Sequence, residues 1–381
     1  MKRIILLGAS GSIGKQTIDV IKEHPHDLEL VGAGVGNNVD FLRELLKEFD
    51  LRFAYSISRV EELEKEHPYT KFYYGDNGLK EIVKEKEYDL FVNALVGFSG
   101  FIPTLNAINN YKDVALANKE TLVAGGELIN AALKDTGVSL YPIDSEHSAI
   151  AQALRGNRYE DIKRLIITGS GGSFRDLNRN ELNDVTLEQA LKHPNWNMGA
   201  KITIDSATMM NKGFEVMEAH YLFNMPYEKI DVVLHAESVI HSMVEYNDGS
   251  IIAQLGSPDM RLPIKYALLY PKHLADSNNN PLDIAKLSTL HFKEMDYTRY
   301  PLVKLAKEIG QFGGNFGAIL IGANDEAVDL FIHKHIKFID IEVLIIKTLK
   351  AAHFIKNPTA KELVESHEWA KKYVDEIWAN S

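Results

Sequence analysis

Three acidic side chains in two distant strings are the strongest sign of chemistry in this sequence. In Asp144-Ser145-Glu146 two carboxylates lie two residues apart, directly after a predicted strand, and an extended backbone would point both to one face. The third acid closes Asp205-Ser206-Ala207-Thr208-Met209-Met210-Asn211-Lys212-Gly213-Phe214-Glu215. On a helix Asn211 and Glu215, four apart, share a face with Lys212 at their side. Met209, Met210 and Phe214 in the same string put these polar groups at the edge of a core. Carboxylates are hard oxygen ligands, so Asp144, Glu146 and Glu215 together suit Mg²⁺ or Mn²⁺. Gly169-Ser170-Gly171-Gly172, with Ser206, Asn211 and Lys212, adds hydroxyl, amide and ammonium donors of the kind that hold a phosphate. His193-Pro194-Asn195-Trp196-Asn197-Met198-Gly199 joins rigid, aromatic and flexible residues in one loop, which suits a lid or, as is commoner for a Trp-containing loop, a segment docked on a core.

A second kind of chemistry is written in Gly8-Ala9-Ser10-Gly11-Ser12-Ile13-Gly14, which lies between the first predicted strand and the first helix. Glycines at this spacing let the backbone turn tightly and approach a pyrophosphate, which the free N–H groups of the helix attract. The second strand ends in Gly34-Val35-Gly36-Asn37-Asn38 with no acid at its tip. An acid there would take the ribose 2′-hydroxyl of NAD and repel a 2′-phosphate. Its absence, with N–H donors at Gly36, Asn37 and Asn38, favours NADP.

These strings need a scaffold, and 381 residues exceed one core, which stops growing near ~250–300 residues. Over the first 145 residues short β-like runs (3–7, 28–33, 53–56, 90–94, 113–116, 139–142) alternate with helical stretches such as 41–49 and 119–134. That alternation predicts a parallel sheet covered on both faces, with ligands beyond the carboxyl ends of its strands. The texture then changes. A strand over 163–168 and a helix over 207–222 precede two runs, 239–246 and 250–255, that flank the hairpin signal Asn247-Asp248-Gly249. Residues 272–300, with Pro281 and Asn278-Asn279-Asn280, show no sustained period and read as a linker. The remaining 301–381 are helical, with Asp340 placed to cap 341–353 and Thr359-Ala360-Lys361-Glu362 as a capping box.

Composition narrows the partners. Lys plus Arg is 42 and Asp plus Glu is 53, and 42 − 53 = −11 argues against general nucleic-acid binding while allowing one small phosphorylated ligand. No apolar run reaches the ~18 residues of a membrane-spanning helix. The opening run Ile4-Ile5-Leu6-Leu7 stops at Gly8, short of the ~7–15 apolar residues of an export signal. With no cysteine in the chain, a cytoplasmic location is expected, and thiolate ligands and a cysteine nucleophile are excluded.

Taken together, the sequence closely resembles the 1-deoxy-D-xylulose 5-phosphate reductoisomerase family, essentially end to end. The resemblance is carried by 8–14, Ala117-Asn118-Lys119-Glu120, Asp144-Ser145-Glu146-His147-Ser148-Ala149, 168–172, 193–199, 205–215 and Ser238-Val239-Ile240-His241-Ser242-Met243-Val244. It implies an α/β protein with an N-terminal Rossmann-like parallel-sheet domain (1–145) that binds NADPH. An α+β catalytic and dimerisation domain with antiparallel strands (146–271), a linker (272–300) and a C-terminal helical bundle (301–381) would follow. The implied reaction is the NADPH- and Mn²⁺- or Mg²⁺-dependent rearrangement and reduction of 1-deoxy-D-xylulose 5-phosphate to 2-C-methyl-D-erythritol 4-phosphate, a step of non-mevalonate isoprenoid biosynthesis.

Residue by residue, the resemblance makes Asp144, Glu146 and Glu215 the metal ligands. Substrate falls to Ser145, Glu146, Ser170, His193, Ser206, Asn211, Lys212 and Glu215, with Ser170, Ser206 and Asn211 on the phosphate and Trp196 and Met198 in a flap over it. NADPH falls to Ser10, Gly11, Ser12, Ile13, Gly36, Asn37, Asn38, Asn118, Lys119, Glu120 and Gly199. Asn37 departs from the family, some members of which carry a basic residue there. Lys119 and Lys212 would add positive charge where an oxyanion develops, and Glu146 would accept a proton. The alternating apolar residues of the strands within 239–255 could be covered from within the chain or by a second copy, and the resemblance implies a homodimer built by joining such sheets. Two other dehydrogenase classes share this type of nucleotide domain. A semialdehyde dehydrogenase needs a cysteine, and a homoserine dehydrogenase leaves the metal unexplained.

Overall fold

Strand β1 (Lys2–Leu7) carries four consecutive apolar residues, Ile4 to Leu7, and all four are fully buried. A strand apolar on both faces can sit only in the middle of a sheet covered on both sides. In this computed structural model, which describes residues 1–196, 198–275 and 281–380, that is its place. Helix α1 (Ser12–Glu23), β2 (Leu28–Gly34), α2 (Val39–Glu48), β3 (Phe53–Ser56), α3 (Glu61–Glu66), β4 (Lys71–Tyr74), α4 (Gly75–Glu81), β5 (Leu90–Asn93), α5 (Phe101–Asn109), β6 (Asp113–Leu116), α6 (Glu120–Thr136) and β7 (Leu140–Pro142) follow in turn. The seven strands form one parallel sheet in the order β4-β3-β2-β1-β5-β6-β7. The order reverses between β1 and β5, and at such a switch point the loops beyond the carboxyl ends part to admit a ligand. Strand β4, Lys71-Phe72-Tyr73-Tyr74, was not expected from the sequence; it is an edge strand with no fully buried residue and hence no clear alternation.

Helix α7 (Ser145–Leu154) starts where the sequence suggested extended chain. The Asp144 carbonyl accepts from Ser148 N and its Oδ1 accepts from Glu146 N at 3.2 Å, so Asp144 is a helix cap. The two carboxylates therefore lie in the first turn of a helix, whose dipole favours anions.

The second unit is built on a five-stranded mixed sheet. Its elements are β8 (Ile162–Gly169), α8 (Leu187–Ala190), α9 (Ala200–Ala207), α10 (Met210–Phe223), β9 (Ile230–Leu234), β10 (Ile240–Tyr246) and β11 (Ile251–Leu255). After α11 (Arg261–Leu269) and α12 (Ile284–Leu287), β12 (Lys293–Glu294) closes the order β11-β10-β8-β9-β12. The hairpin of β10 and β11 turns at Asn247–Gly249, and β10 runs antiparallel to β8. Helices α13 (Pro301–Phe312), α14 (Phe316–Ile332), α15 (Asp340–Ala351) and α16 (Ala360–Ala379) complete it. Thr359 and Glu362 form the expected capping box, whereas Asp340 lies inside the first turn of α15 and accepts from Lys337 N.

The partition of the chain differs from the linear reading. Residues 259–275 belong to the first unit, because Ile264, Ala267 and Leu268 of α11 are buried in its core. Leu122–Gly126 belong to the second, and the helices after 300 share that unit with the mixed sheet. Within 272–300, β12 adds a strand to the sheet by pairing with β9. Asn278, Asn279 and Asn280 lie outside the described residues.

Candidate functional site

At the carboxyl end of β1 the chain turns through Gly8, whose φ of +85° is left-handed. A Cβ on Gly8 would strike the Ala94 carbonyl, and one on Gly14 would strike the Gly8 carbonyl. Those two glycines let α1 begin close against β1. Gly11 is different: it is exposed, and no side chain caps α1. Ser10, Gly11, Ser12 and Ile13 thus present the uncapped first turn of a helix at the switch point, an arrangement that fits a pyrophosphate. At the tip of β2, Asn38 caps α2 through Oδ1 to Phe41 N at 3.2 Å, while Gly36 and the exposed Asn37 precede it.

Asn118, at the carboxyl end of β6, is buried and its side chain is used internally. Nδ2 donates to the carbonyls of Leu95 (2.9 Å) and Gly97 (2.8 Å), and Oδ1 accepts from Thr121 N (3.0 Å) and Thr121 Oγ1 (2.6 Å). It ties together the loops after β5 and β6. Lys119 follows, buried, with Nζ 2.6 Å from Asp144 Oδ2, and Glu120 opens α6. His147 Nδ1 lies 3.1 Å from Asp144 Oδ1, and Ser145 Oγ donates to Glu146 Oε2 at 2.5 Å. Burial pushes the Asp144 carboxyl up, but Lys119 and then His147 outweigh it and hold it well below the usual carboxylate range. Asp144 and Glu146 each offer an oxygen within 4.8 Å of the other. Two carboxylates on one helical turn fit a divalent cation. His147 was not expected in this role; its spacing of three from Asp144 shows only once the segment is read as a helix.

In the second unit the donors gather where β8 ends. Ser170 Oγ is 3.2 Å from His193 Nε2 and accepts from Gly172 N at 3.2 Å. Gly172 (φ +71°) has no room for a Cβ beside the backbone of Ser206 and Ala207, which brings α9 against this loop. The expected helix over 207–222 is α10, which begins at Met210, and a separate helix, α9, ends at Ala207 just before it. Met209 takes a left-handed φ of +61° between α9 and α10, and the bend sets Ser206 on one helix and Asn211, Lys212 and Glu215 on the next. Buried Glu215 accepts from Lys212 Nζ at 2.5 Å and from Asn211 Nδ2 at 2.6 Å, so the three share a face as expected.

His193 Nδ1 accepts from the backbone N–H groups of Asn195 (3.1 Å) and Trp196 (3.0 Å). The ring proton must then sit on Nε2, which donates to Ser170 Oγ. Burial, and next the charges of Arg175 and Lys212, push His193 down to about 4. At neutral pH it is an uncharged donor with a fixed tautomer. Trp196 and Met198 are half-buried and Gly199 is exposed; Asn197 lies outside the described residues. Arg175 and Asn195 join this cluster unannounced, since a lone Arg and a lone Asn carry no sequence signal.

Three family models match the chain: 1-deoxy-D-xylulose 5-phosphate reductoisomerase over residues 4–126, its C-terminal domain over 140–223, and DXP reductoisomerase C-terminal domain over 255–373. A Geobacillus species has a 1-deoxy-D-xylulose 5-phosphate reductoisomerase 50% identical to this chain, covering 98% of it and 99% of the relative. One from Bacillus cereus is 50% identical over 99% of this chain and all of its own. Among solved structures, the Zymomonas mobilis enzyme in complex with NADPH superposes with a TM-score of 0.90 at 37% identity, covering 99% of both chains. A DOX-P reductoisomerase in complex with NADPH, fosmidomycin and magnesium gives 0.92 at 35% identity, covering 100% of this chain and 98% of the other. With relatives matched at half their residues along their whole length, and with the glycine turn, capped carboxylates and donor cluster just described, this chain belongs to the 1-deoxy-D-xylulose 5-phosphate reductoisomerase family.

Proposed function

We propose that this chain converts 1-deoxy-D-xylulose 5-phosphate to 2-C-methyl-D-erythritol 4-phosphate with NADPH and Mg²⁺ or Mn²⁺, in non-mevalonate isoprenoid synthesis. The observation that carries the reading is the end-to-end match to reductoisomerases, with a glycine turn at the switch point of a parallel sheet. NADPH when bound supplies the hydride, and the divalent ion withdraws charge from the adjacent carbonyl and hydroxyl oxygens of the substrate. The ligands assigned to that ion are Asp144, Glu146 and Glu215. Asp144 suits the role because Lys119 and His147 already keep it ionised. Ser170, Ser206 and Asn211 take the phosphate, and neutral His193 holds the Ser170 hydroxyl in a fixed direction without adding charge. Lys119 and Lys212 stabilise the oxyanion, and Glu146 receives the proton, with the Ser145 hydroxyl already on its Oε2. Ser12 and Ile13 offer backbone N–H groups to the pyrophosphate, which the bare Gly11 lets approach while its own N–H holds the Gly8 carbonyl at 3.0 Å, and Gly36 and Asn37 meet the 2′-phosphate.

The test is NADPH oxidation followed at 1-deoxy-D-xylulose 5-phosphate saturation. Turnover is expected only with Mg²⁺ or Mn²⁺ and is expected to stop on chelation; metal-independent turnover would refute the ligand set. No described helix is long and apolar enough to cross a membrane, and the cysteine-free chain fits the reducing cytoplasm.

A homodimer is part of the proposal. Strand β11 is an outer strand whose Ile251 (52%), Ile252 (40%) and Leu255 (36%) are exposed. An apolar edge of this kind pairs with another chain unless covered. Ile252→Lys is expected to convert the dimer to monomer by light scattering in solution. A wild-type monomer at micromolar concentration would remove the idea.

A further inference from the structure

Asn195 has no role so far, yet it makes the contacts that seat the 193–196 segment in the second unit. Its side-chain Nδ2 donates both protons, to the Ala236 carbonyl at 2.7 Å and to Ser238 Oγ at 2.8 Å. Rotating the amide would set Oδ1 against the Ala236 carbonyl, so chemistry fixes this orientation. The receiving turn is itself stiff. His235 Nε2 accepts from the N–H groups of Val239 (3.3 Å) and Ile240 (3.2 Å), while Nδ1 faces the His291 carbonyl at 3.0 Å. Ser238 is held at a left-handed φ of +54°, and Arg175 Nη1 donates to the Ala236 carbonyl at 3.0 Å.

The same Asn195 donates its backbone N–H to His193 Nδ1 at 3.1 Å. One residue thus grips the 236–238 turn with its side chain and the imidazole with its main chain. The neighbouring Trp196 ring lies 6.3 Å from the His241 ring. We infer that Asn195 is a positioning residue for the reaction, latching the loop to the 236–238 turn so that His193 stays aimed at Ser170. The inference rests on the reading that Ser170 and His193 meet the substrate. Without the latch, the loop must be ordered anew at each binding event, and that cost falls on substrate affinity more than on the chemical step.

The test uses the full chain in a Trp369→Phe, Trp378→Phe background, leaving Trp196 as the single tryptophan, excited selectively over tyrosine. In Asn195→Ala, emission without substrate is expected to move to longer wavelength, and KM for 1-deoxy-D-xylulose 5-phosphate to rise about tenfold. The KM for NADPH should hold, and kcat should fall by less than KM rises. Asn195→Asp, which loses the donor to the Ala236 carbonyl but can accept from the Ser238 hydroxyl once that hydroxyl turns, should fall between the alanine variant and its parent. An Asn195→Ala enzyme with unshifted emission and a substrate KM within about twofold of its parent would overturn the latch. So would a loss confined to kcat and thermal stability. Failure of the parent to turn over the substrate would instead overturn the reaction assigned above, with the emission shift still testing the latch.

Discussion

Glu215→Gln is expected to lower metal-dependent turnover by ~10³-fold or more while leaving the fold and NADPH affinity nearly intact. Glu215 is buried, and its partners include Lys212 Nζ and Asn211 Nδ2. A glutamine of the same shape keeps a carbonyl for Lys212, and the Asn211 amide can turn its oxygen to the new NH₂. Structure is therefore conserved and one negative charge is lost, the property that binds a hard divalent ion. The proposed cofactor positions, apart from Gly199, lie in the other unit, so NADPH titration monitored by fluorescence should match wild type. Near-wild-type turnover at low Mg²⁺ would end the assignment of Glu215 as a ligand.

Asn118→Ala is expected to cost stability rather than one chemical step. Four hydrogen bonds end on this buried side chain, two to carbonyls of the loop after β5 and two from Thr121. Each buried group stranded without a partner costs ~1–3 kcal/mol, and water can reach some of them, so about 3 kcal/mol in total is expected. The urea midpoint should fall accordingly, and NADPH should bind more weakly because the crevice loops lose their tie. Asn118→Asp, which keeps the acceptor but sets an anion against two carbonyls, should be no better. An unchanged midpoint in both would show that the side chain bridges nothing of consequence.

How far the sequence foretold this follows from local physics. Six of the seven strands of the parallel sheet were legible, most plainly the uninterrupted apolar run Ile4-Ile5-Leu6-Leu7, whereas the edge strand β4 was not. The glycine turn was legible because only glycine fits the backbone at Gly8 and against it at Gly14. Asn211, Lys212 and Glu215 sharing a face followed from helical spacing alone. Three features were hidden. The cap at Asp144 looked extended because a short apolar strand precedes it, and a cap differs from a strand end only in backbone angles. The bend at Met209 carries no glycine or proline, so nothing in the local string marks it. Asn195 was hidden because its meaning lies in Ala236 and Ser238, which no local pattern connects to it.

Helix α11 has a consequence for biosynthesis. Ile264, Ala267 and Leu268 belong to the core that β1 begins, although the chain in between builds most of another sheet. A nascent chain leaving the ribosome cannot seal its first core until those residues emerge, and until then the apolar face that will receive them stays open to water. Shortened versions ending near residue 150 should for that reason clump, whereas the same segment fused through a short spacer to 259–275 should remain dispersed.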